Sequence, residues 1–421
     1  MTQSRFADLS LFHSALDEVL ARQNDNQRPD PSHTSVQAAA AVTQAAEVQG
    51  LIHALSTPVS AVPAICDSNV ATYCASLARN LALAKVQGNQ ALVSRYQAEL
   101  TNPDSVCSPH WIEAAEKYAE FVLCRGTIPY RRWKSIGDFV IEGKLSPNAR
   151  VGIIGDWGTG QPDARTVLEQ MARKNLQVAI HLGDIYYSAT EFECDNYFSN
   201  IWNDVLKLPG SGIASYTLAG NHDMFCGGVP YYNLLDRLGQ PASYFCLRND
   251  SWQIIAIDTG LHDAKPDGTQ PTYLEDTEIQ WLRDKIQNRN GRRTMLLSHH
   301  QLFTAYEDIP GGGAINQKLY GQLKDLLPQI DIWLWGHEHN QVIYQSYLGV
   351  LGRCIGHGAF PIGADEVPVL KHAEIPVESL RLSGDPFLDH GYVIVDLNGP
   401  AATISYFVSS DENKPVFTET L

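Results

Sequence analysis

Residues 151–158 read VGIIGDWG, a short apolar run that stops at Gly155 and delivers Asp156 immediately after it. The same design recurs along the chain. Val178–Leu182 runs into Gly183, Asp184, Ile185, Tyr186 and Tyr187, and Tyr216–Leu218 into Gly220, Asn221, His222 and Asp223. Met295–Leu297 leads to His299, and Ile332–Leu334 leads to Gly336, His337, Glu338 and His339. Short continuous apolar runs bounded by glycine read as strands buried on both faces. Carboxylate, amide and imidazole side chains at the ends of successive strands form the donor set of a dinuclear metal site. A sixth run, Ile254–Ile257, ends at Asp258, which reads as framework.

Between these runs lie helical stretches, Pro162–Lys174, Glu193–Leu206, Leu274–Gln287 and Asn316–Leu327. Strand–helix alternation predicts an α/β fold with its ligands at the carboxyl ends of the strands, where the motifs stand. Beyond Gly336 the pattern turns strand-rich, with Ile343–Tyr347, Val350–Ile355, Tyr392–Asp396 and Thr403–Val408. These segments predict a second, more antiparallel sheet that closes a sandwich.

At 421 residues the chain exceeds what one hydrophobic core usually supports, so two units are expected. Leu9, Phe12, Leu16 and Leu20 form an amphipathic stripe within Arg5–Gln23, and Ser35–Leu55, Asp67–Val86, Gln90–Leu100 and Trp111–Cys124 continue in helical character. Residues 1–130 are therefore predicted as an all-α unit, 131–148 as a linker, and 149–421 as the catalytic domain. The histidines of the first unit, His13, His33, His53 and His110, share no ligand spacing. That unit is either a structural appendage or a regulatory, dimerising or substrate-covering module.

With 44% hydrophobic and 19% charged residues the composition is that of a soluble globular protein. A formal net charge of -16 argues against nucleic acid or an anionic membrane surface as partner, since both would repel it. Arg131, Arg132 and Lys134 form a local basic cluster that reads as a solvated face. No apolar run is long enough to span a bilayer and no secretory signal is visible, so a cytoplasmic location is expected, or an exported one if the sequence is a processed form. Eight cysteines without a Cys-x-x-Cys pair read as mostly buried thiols, with bridges expected only in an exported form.

The five motifs, in this order over roughly residues 149–365, resemble the calcineurin-like metallophosphoesterases, and specifically their purple acid phosphatase branch (tartrate-resistant acid phosphatase-like). Two details select the branch. Position 158 is Gly where most other members carry a histidine ligand, and Tyr187 stands three residues after Asp184, where the purple branch needs a phenolate. The resemblance implies an αββα sandwich, preceded here by the all-α unit. It implies an acid phosphatase-like, metal-dependent hydrolase that cleaves phosphomonoesters through a dinuclear centre activating a hydroxide for in-line attack on phosphorus. Asp184 is expected to bridge two metal ions. Asp156, Tyr187 and His339 then complete an Fe(III) site, and Asn221, His299 and His337 hold a divalent ion, Fe, Zn or Mn.

His222 is expected to contact substrate phosphate and protonate the leaving group, with Asn221 beside it at the substrate. Asp223 is expected to orient His222 or a ligand. Where many purple acid phosphatases place a second histidine beyond the metal histidine, this chain has Asp308, leaving His300, Tyr306 or Asp308 as replacement proton donor, or His222 acting alone. The expected partner is a small phosphorylated substrate or a phosphoprotein; the oligomeric state is open. Thr259–Thr277 and the run Gly311, Gly312, Gly313 are candidate walls over the site. The alternatives are a phosphodiesterase, directed at cyclic nucleotides or phospholipids, on the same centre, and a non-catalytic binding module.

Overall fold

The computed structural model describes residues 77–85, 87–100, 113–114, 117–118 and 127–421, except 265–269, 312, 365–366, 381 and 385–386. The chain divides into two compact units, Met1–Glu116 and Lys117–Leu421. The helices expected over Arg5–Gln23 and Ser35–Leu55, and all four histidines of the first unit, lie outside the described residues.

In the first unit, residues 77–85 are helical and α1 follows over Gln90–Leu100. Asn89 begins α1 by accepting the Leu92 amide on its side-chain oxygen, a start that satisfies one orphan helix donor. Leu81 and Ala84 pack against Val93, closing the pair.

The second unit is built on two sheets whose strands alternate side chains between two packed faces. One sheet has the order β4-β3-β2-β12-β13-β14. In it β2 (Arg150–Ile154), β3 (Val178–His181) and β4 (Ala214–Thr217) run parallel, while β12 (Gly391–Asn398), β13 (Ala401–Val408) and β14 (Phe417–Thr420) are added antiparallel. The other has the order β1-β5-β6-β7-β8-β10-β9-β11. Its parallel centre is β6 (Trp252–Ala256), β7 (Arg293–Ser298), β8 (Ile332–Trp335) and β10 (Gly352–Ile355). β5 (Phe245–Arg248), β9 (Gln341–Tyr344) and β11 (Val377–Leu380) pair antiparallel, and β1 (Val140–Glu142) joins β5 in parallel.

Alternation along each strand gives the layers directly. Ile254, Met295, Leu297, Ile332 and Leu334 of one sheet meet Val151, Ile153, Val178 and Ile180 of the other in the central core. Their neighbours Ile255, Leu296, Trp333 and Trp335 point outward onto α5 (Asp276–Gln287) and α6 (Gln317–Leu323), through Trp281, Leu282 and Leu319. On the far side Ala179, Tyr392 and Ile394 pack on α2 (Pro162–Ala172) and α3 (Asn200–Leu206). A one-residue slip in any strand would exchange these faces, so burial on both sides pins the register. The arrangement is the expected αββα sandwich.

Three expectations are corrected. The C-terminal strands do not form a sheet of their own: β9, β10 and β11 extend one sheet and β12, β13 and β14 the other. The buried edges of the two parallel cores need partners, and the C-terminal segments supply them. Residues 131–148 are not a linker, because β1 pairs with β5 and Tyr130, Trp133 and Phe139 pack on the core. Finally, α4 (Val229–Leu238), which the periodicity reading missed, is bracketed by Gly228 and Gly239, both in left-handed conformation.

Candidate metal centre

The segments that follow β2, β3, β4, β7 and β8 converge at one rim. The amide of Asp156 donates to the carbonyl of Gly183 (3.2 Å), and that of Gly336 to the carbonyl of His299 (2.9 Å). Asp156, Asp184 and His337 all hold positive φ, at 55°, 73° and 67°. Non-glycine residues in this region cost free energy and persist where surrounding contacts over-determine them, which is commonest at functional sites. Gly336 is required by close approach: a Cβ there would collide with the Asp156 carboxylate.

Asp156 and Asp184 are buried, and the ligand atoms of these two and His299 all lie within 4.8 Å of one another. His299 donates from Nδ1 to the Leu182 carbonyl at 3.1 Å, since a carbonyl only accepts. Its Nε2 is thereby turned to Asp184 Oδ2 (3.3 Å), Asn221 Oδ1 (3.1 Å) and His337 Nδ1 (3.3 Å). A backbone acceptor that fixes the tautomer of a ligating histidine is the usual device of metal sites. The His337 amide donates to Asp156 Oδ2 (2.9 Å), and His339 Nε2 lies 3.5 Å from Asp156 Oδ1. The His339 ring stacks on Phe360.

One expectation needs correction here. The hydroxyl that meets the carboxylates belongs to Tyr186, not Tyr187: it lies 3.0 Å from Asp156 Oδ1, 3.1 Å from Asp184 Oδ2 and 2.9 Å from His339 Nε2. Tyr187 instead sets its ring against His222 and Phe225, gives its amide to Glu193 and offers its carbonyl to His222. Adjacent residues project to different sides, and counting from Asp184 does not reveal which one the turn aims inward.

His222 donates from Nδ1 to that carbonyl at 2.6 Å, and its Nε2 stands 3.9 Å from Asp184 Oδ2. Asp223 accepts the amides of Asp184 (2.9 Å), Ile185 (3.1 Å) and Gly220 (2.7 Å), so it clamps the Asp184 loop rather than His222. His300 is part of the same cluster. Its ring lies 4.3 Å from that of His337, and ligand atoms of His299, His300 and His337 also fall within 4.8 Å of one another. Thr259 Oγ1 lies 3.0 Å from its Nδ1, while Nε2 lies 3.2 Å from Asp263 Oδ1 without hydrogen-bond alignment. Sequence reasoning placed Thr259 and Asp263 within the candidate wall Thr259–Thr277 but singled out neither, since no motif marks them.

Asp308 is not brought into the cluster: its side chain is 64% exposed and pairs with Lys371 and His372. Position 158 has no room for a side chain as the backbone stands, since even a Cβ there would lie 2.8 Å from the Asp184 carbonyl and from the Ile185 Cα. Asp258 accepts the amides of Gly260 and Leu261, as framework. His357 is buried behind Gly391, likewise framework.

The electrostatics are those of unlike charges packed in a dry rim. Burial raises the Asp156 pKa to about 7, against the pull of His299. Burial also acts to raise Asp184, but the neighbouring His299 and His222 overcome it and hold its carboxyl well below the usual range. Burial works against charge on His299, yet Asp184 and Asp156 beside it lift its pKa to about 9. His337 and His300 are pushed down by burial and by neighbouring imidazoles. Two buried carboxylates share a single hydroxyl proton, that of Tyr186, while several imidazole nitrogens face them. Hard oxygen donors combined with imidazole nitrogens fit divalent and trivalent metal ions.

Residues 149–341 match the family described as calcineurin-like phosphoesterase. No curated protein matches the chain. Among solved structures, it is similar to GAP50, the anchor in the inner membrane complex of Plasmodium, at 13% identity over 65% of this chain and 88% of that one, with a TM-score of 0.47. It is similar also to a dimetal phosphatase from Danio rerio, at 13% identity over 65% of this chain and 99% of that one, with a TM-score of 0.44. The family implies a metal-dependent hydrolase of phosphoesters. The match to the calcineurin-like phosphoesterase family thus covers the stretch that holds Asp156, Asp184, Tyr186, Asn221, His299, His337 and His339.

Proposed function

We propose that this domain hydrolyses phosphomonoesters, on a small phosphorylated molecule or a phosphoprotein, with a dinuclear centre of the purple acid phosphatase kind. The reading rests on one observation: Asp156 and Asp184 are buried face to face around the Tyr186 hydroxyl, with His299, His337, His339 and Asn221 closing the cluster. In this reading Asp156, Tyr186 and His339 would hold Fe(III), Asn221, His299 and His337 would hold a divalent Fe, Zn or Mn, and Asp184 would contribute to both sites. When bound, such ions supply Lewis acidity toward the phosphoryl oxygens and a hydroxide nucleophile at neutral pH.

The chain's own residues do the rest. His222, fixed through Nδ1 by the Tyr187 carbonyl, presents Nε2 toward the cluster and carries the proton needed by the departing oxygen. Asn221 keeps its amide oxygen on His299 and its nitrogen for substrate. Asp223 anchors three backbone amides and so holds Asp184 and the turn before His222 in register. His300 replaces the missing second histidine as the donor nearest the cluster, and Asp308 plays no part.

Purified protein assayed on matched monoester and diester substrates from acidic to neutral pH, with Asp184→Asn as control and metal content measured in parallel, tests this. Monoester turnover that vanishes in the variant, with iron bound, is expected. Preference for the diester, or equal activity in both proteins, overturns the proposal.

A further inference from the structure

Cys194 and Cys226 sit on different segments of the rim. Cys194 opens the π-helical turn Cys194–Ser199, and Cys226 follows the 3-10 turn His222–Met224. Both sulfurs nevertheless converge on one atom. The Cys194 thiol lies 3.4 Å from the carbonyl oxygen of Ala189, and the Cys226 thiol 3.2 Å from the same oxygen. A carbonyl has two lone pairs and accepts both, so the two thiols, each free in this structure, lie no more than about 6.6 Å apart. Cys194 is buried and Cys226 partly so.

We propose that Cys194 and Cys226 form an intramolecular disulfide that staples the loop after β3 to the loop after β4. The surroundings suit such a bridge. Gly227 and Gly228, at φ 85° and 72°, follow Cys226 directly, and glycine adopts the left-handed region without penalty, so its backbone has room to settle. The two loops are already tied by the His222–Tyr187 and Asp223–Asp184 hydrogen bonds, so the cross-link spans segments held in fixed relation. Cys246 and Cys354 meet different partners, the carbonyl of Leu247 and the Gly336–Asn340 turn, and stand apart from this pair.

Formation balances with a small-molecule disulfide of the oxidised glutathione class as oxidant. The Cys226 thiolate, the more accessible of the two, attacks one sulfur of the oxidant and displaces a thiolate. Cys194 then gives up its proton and attacks the Cys226 sulfur of the mixed disulfide, displacing the second thiolate. Two S–H bonds are lost and one S–S bond forms; two electrons and two protons leave on two molecules of the small thiol. Burial pushes the Cys226 thiol up to about 12 and the Cys194 thiol well up also. Thiols of high pKa attack slowly and leave slowly, which fits a bridge made during folding and then kept, not a rapid toggle.

The inference stands independently of any phosphatase activity, and so does its test. Full-length protein is refolded in buffered oxidised and reduced glutathione, remaining thiols are alkylated, and tryptic peptides are weighed. Cleavage at Lys207 puts Cys194 and Cys226 on separate peptides, so only a bridge can join them. The expected result is one joined species, two hydrogens lighter than the pair, with Cys246 and Cys354 alkylated. Reductant should then lower the thermal midpoint by several degrees, while the Cys194→Ser/Cys226→Ser double variant starts low and does not respond. Both thiols alkylated after oxidative refolding, or bridged to other cysteines, overturns the proposal whether or not the double variant folds.

Discussion

Replacing Tyr186 by Phe removes one buried hydroxyl and little else. The side chain is 1% exposed, and the hydroxyl stands between Asp156 Oδ1, Asp184 Oδ2 and His339 Nε2 at 3.0, 3.1 and 2.9 Å. A hydrogen bond to a charged group contributes about 1.5–3 kcal/mol, and the single proton can serve only one carboxylate at a time, so the metal-free protein should lose about 2 kcal/mol of stability. The larger effect falls on metal retention. The variant leaves two buried carboxylates without their shared partner and deletes an oxygen donor, and loss of even an outer partner of a metal site costs about 10–100-fold in affinity. Tyr187→Phe is the matched control, because the Tyr187 carbonyl that holds His222 and the ring that packs on Phe225 both survive the change. Metal content after dialysis against graded chelator, read by elemental analysis beside thermal unfolding, separates the two. Tyr186→Phe should lose metal at the lower chelator concentration while Tyr187→Phe behaves as the parent. The reverse order would refute the assignment and restore the tyrosine that spacing from Asp184 selects.

His222→Ala should lower kcat by about 10²–10⁴ and leave metal content unchanged; metal loss would make it a ligand instead. Asp223→Ala strands three backbone amides in a buried loop, and a destabilisation of roughly 4 kcal/mol is expected, to be read from denaturant midpoints; a change below 1 kcal/mol would mean that the loop re-satisfies them. His357 and His181 titrate at about 3 in the folded protein because burial disfavours their charge. Between that pH and the usual value near 6.5, only the unfolded chain takes up these protons, so stability is full above about pH 6.5 and falls as pH drops toward 3. His357→Gln should make the slope of unfolding free energy against pH shallower by up to ~1.4 kcal/mol per pH unit in that window, and an unchanged slope would contradict the burial argument. Asp308→Ala, at an exposed position, should leave both stability and leaving-group dependence unaltered, whereas a shift in leaving-group dependence would bring Asp308 back to the site.

The strand ends were readable because each statement is local. An apolar run that delivers Asp156, Asp184, Asn221 or His337 just past a glycine, or His299 just past Ser298, needs no partner to be recognised, and the fold places all five at one rim. What failed was whatever depended on a distant pairing. Residues 131–148 look like a connection until Val140 meets Cys246, and the C-terminal strands look like a sheet of their own until β12 is found against β2. Asp263 is one unmarked residue of the candidate wall Thr259–Thr277 and is singled out only by its approach to His300.

By itself, then, the sequence determined the alternation of strand and helix, the order of the metal-binding motifs and the lack of a side-chain ligand at Gly158, because hydrophobic period and residue chemistry are properties of short segments. Tertiary structure alone decided which of two adjacent tyrosines faces the carboxylates, which sheet each late strand joins, and that Cys194 and Cys226 share one carbonyl oxygen. Those outcomes are set by backbone paths that only close once the β-ladders and the turns beyond them are in register, and no local pattern encodes them.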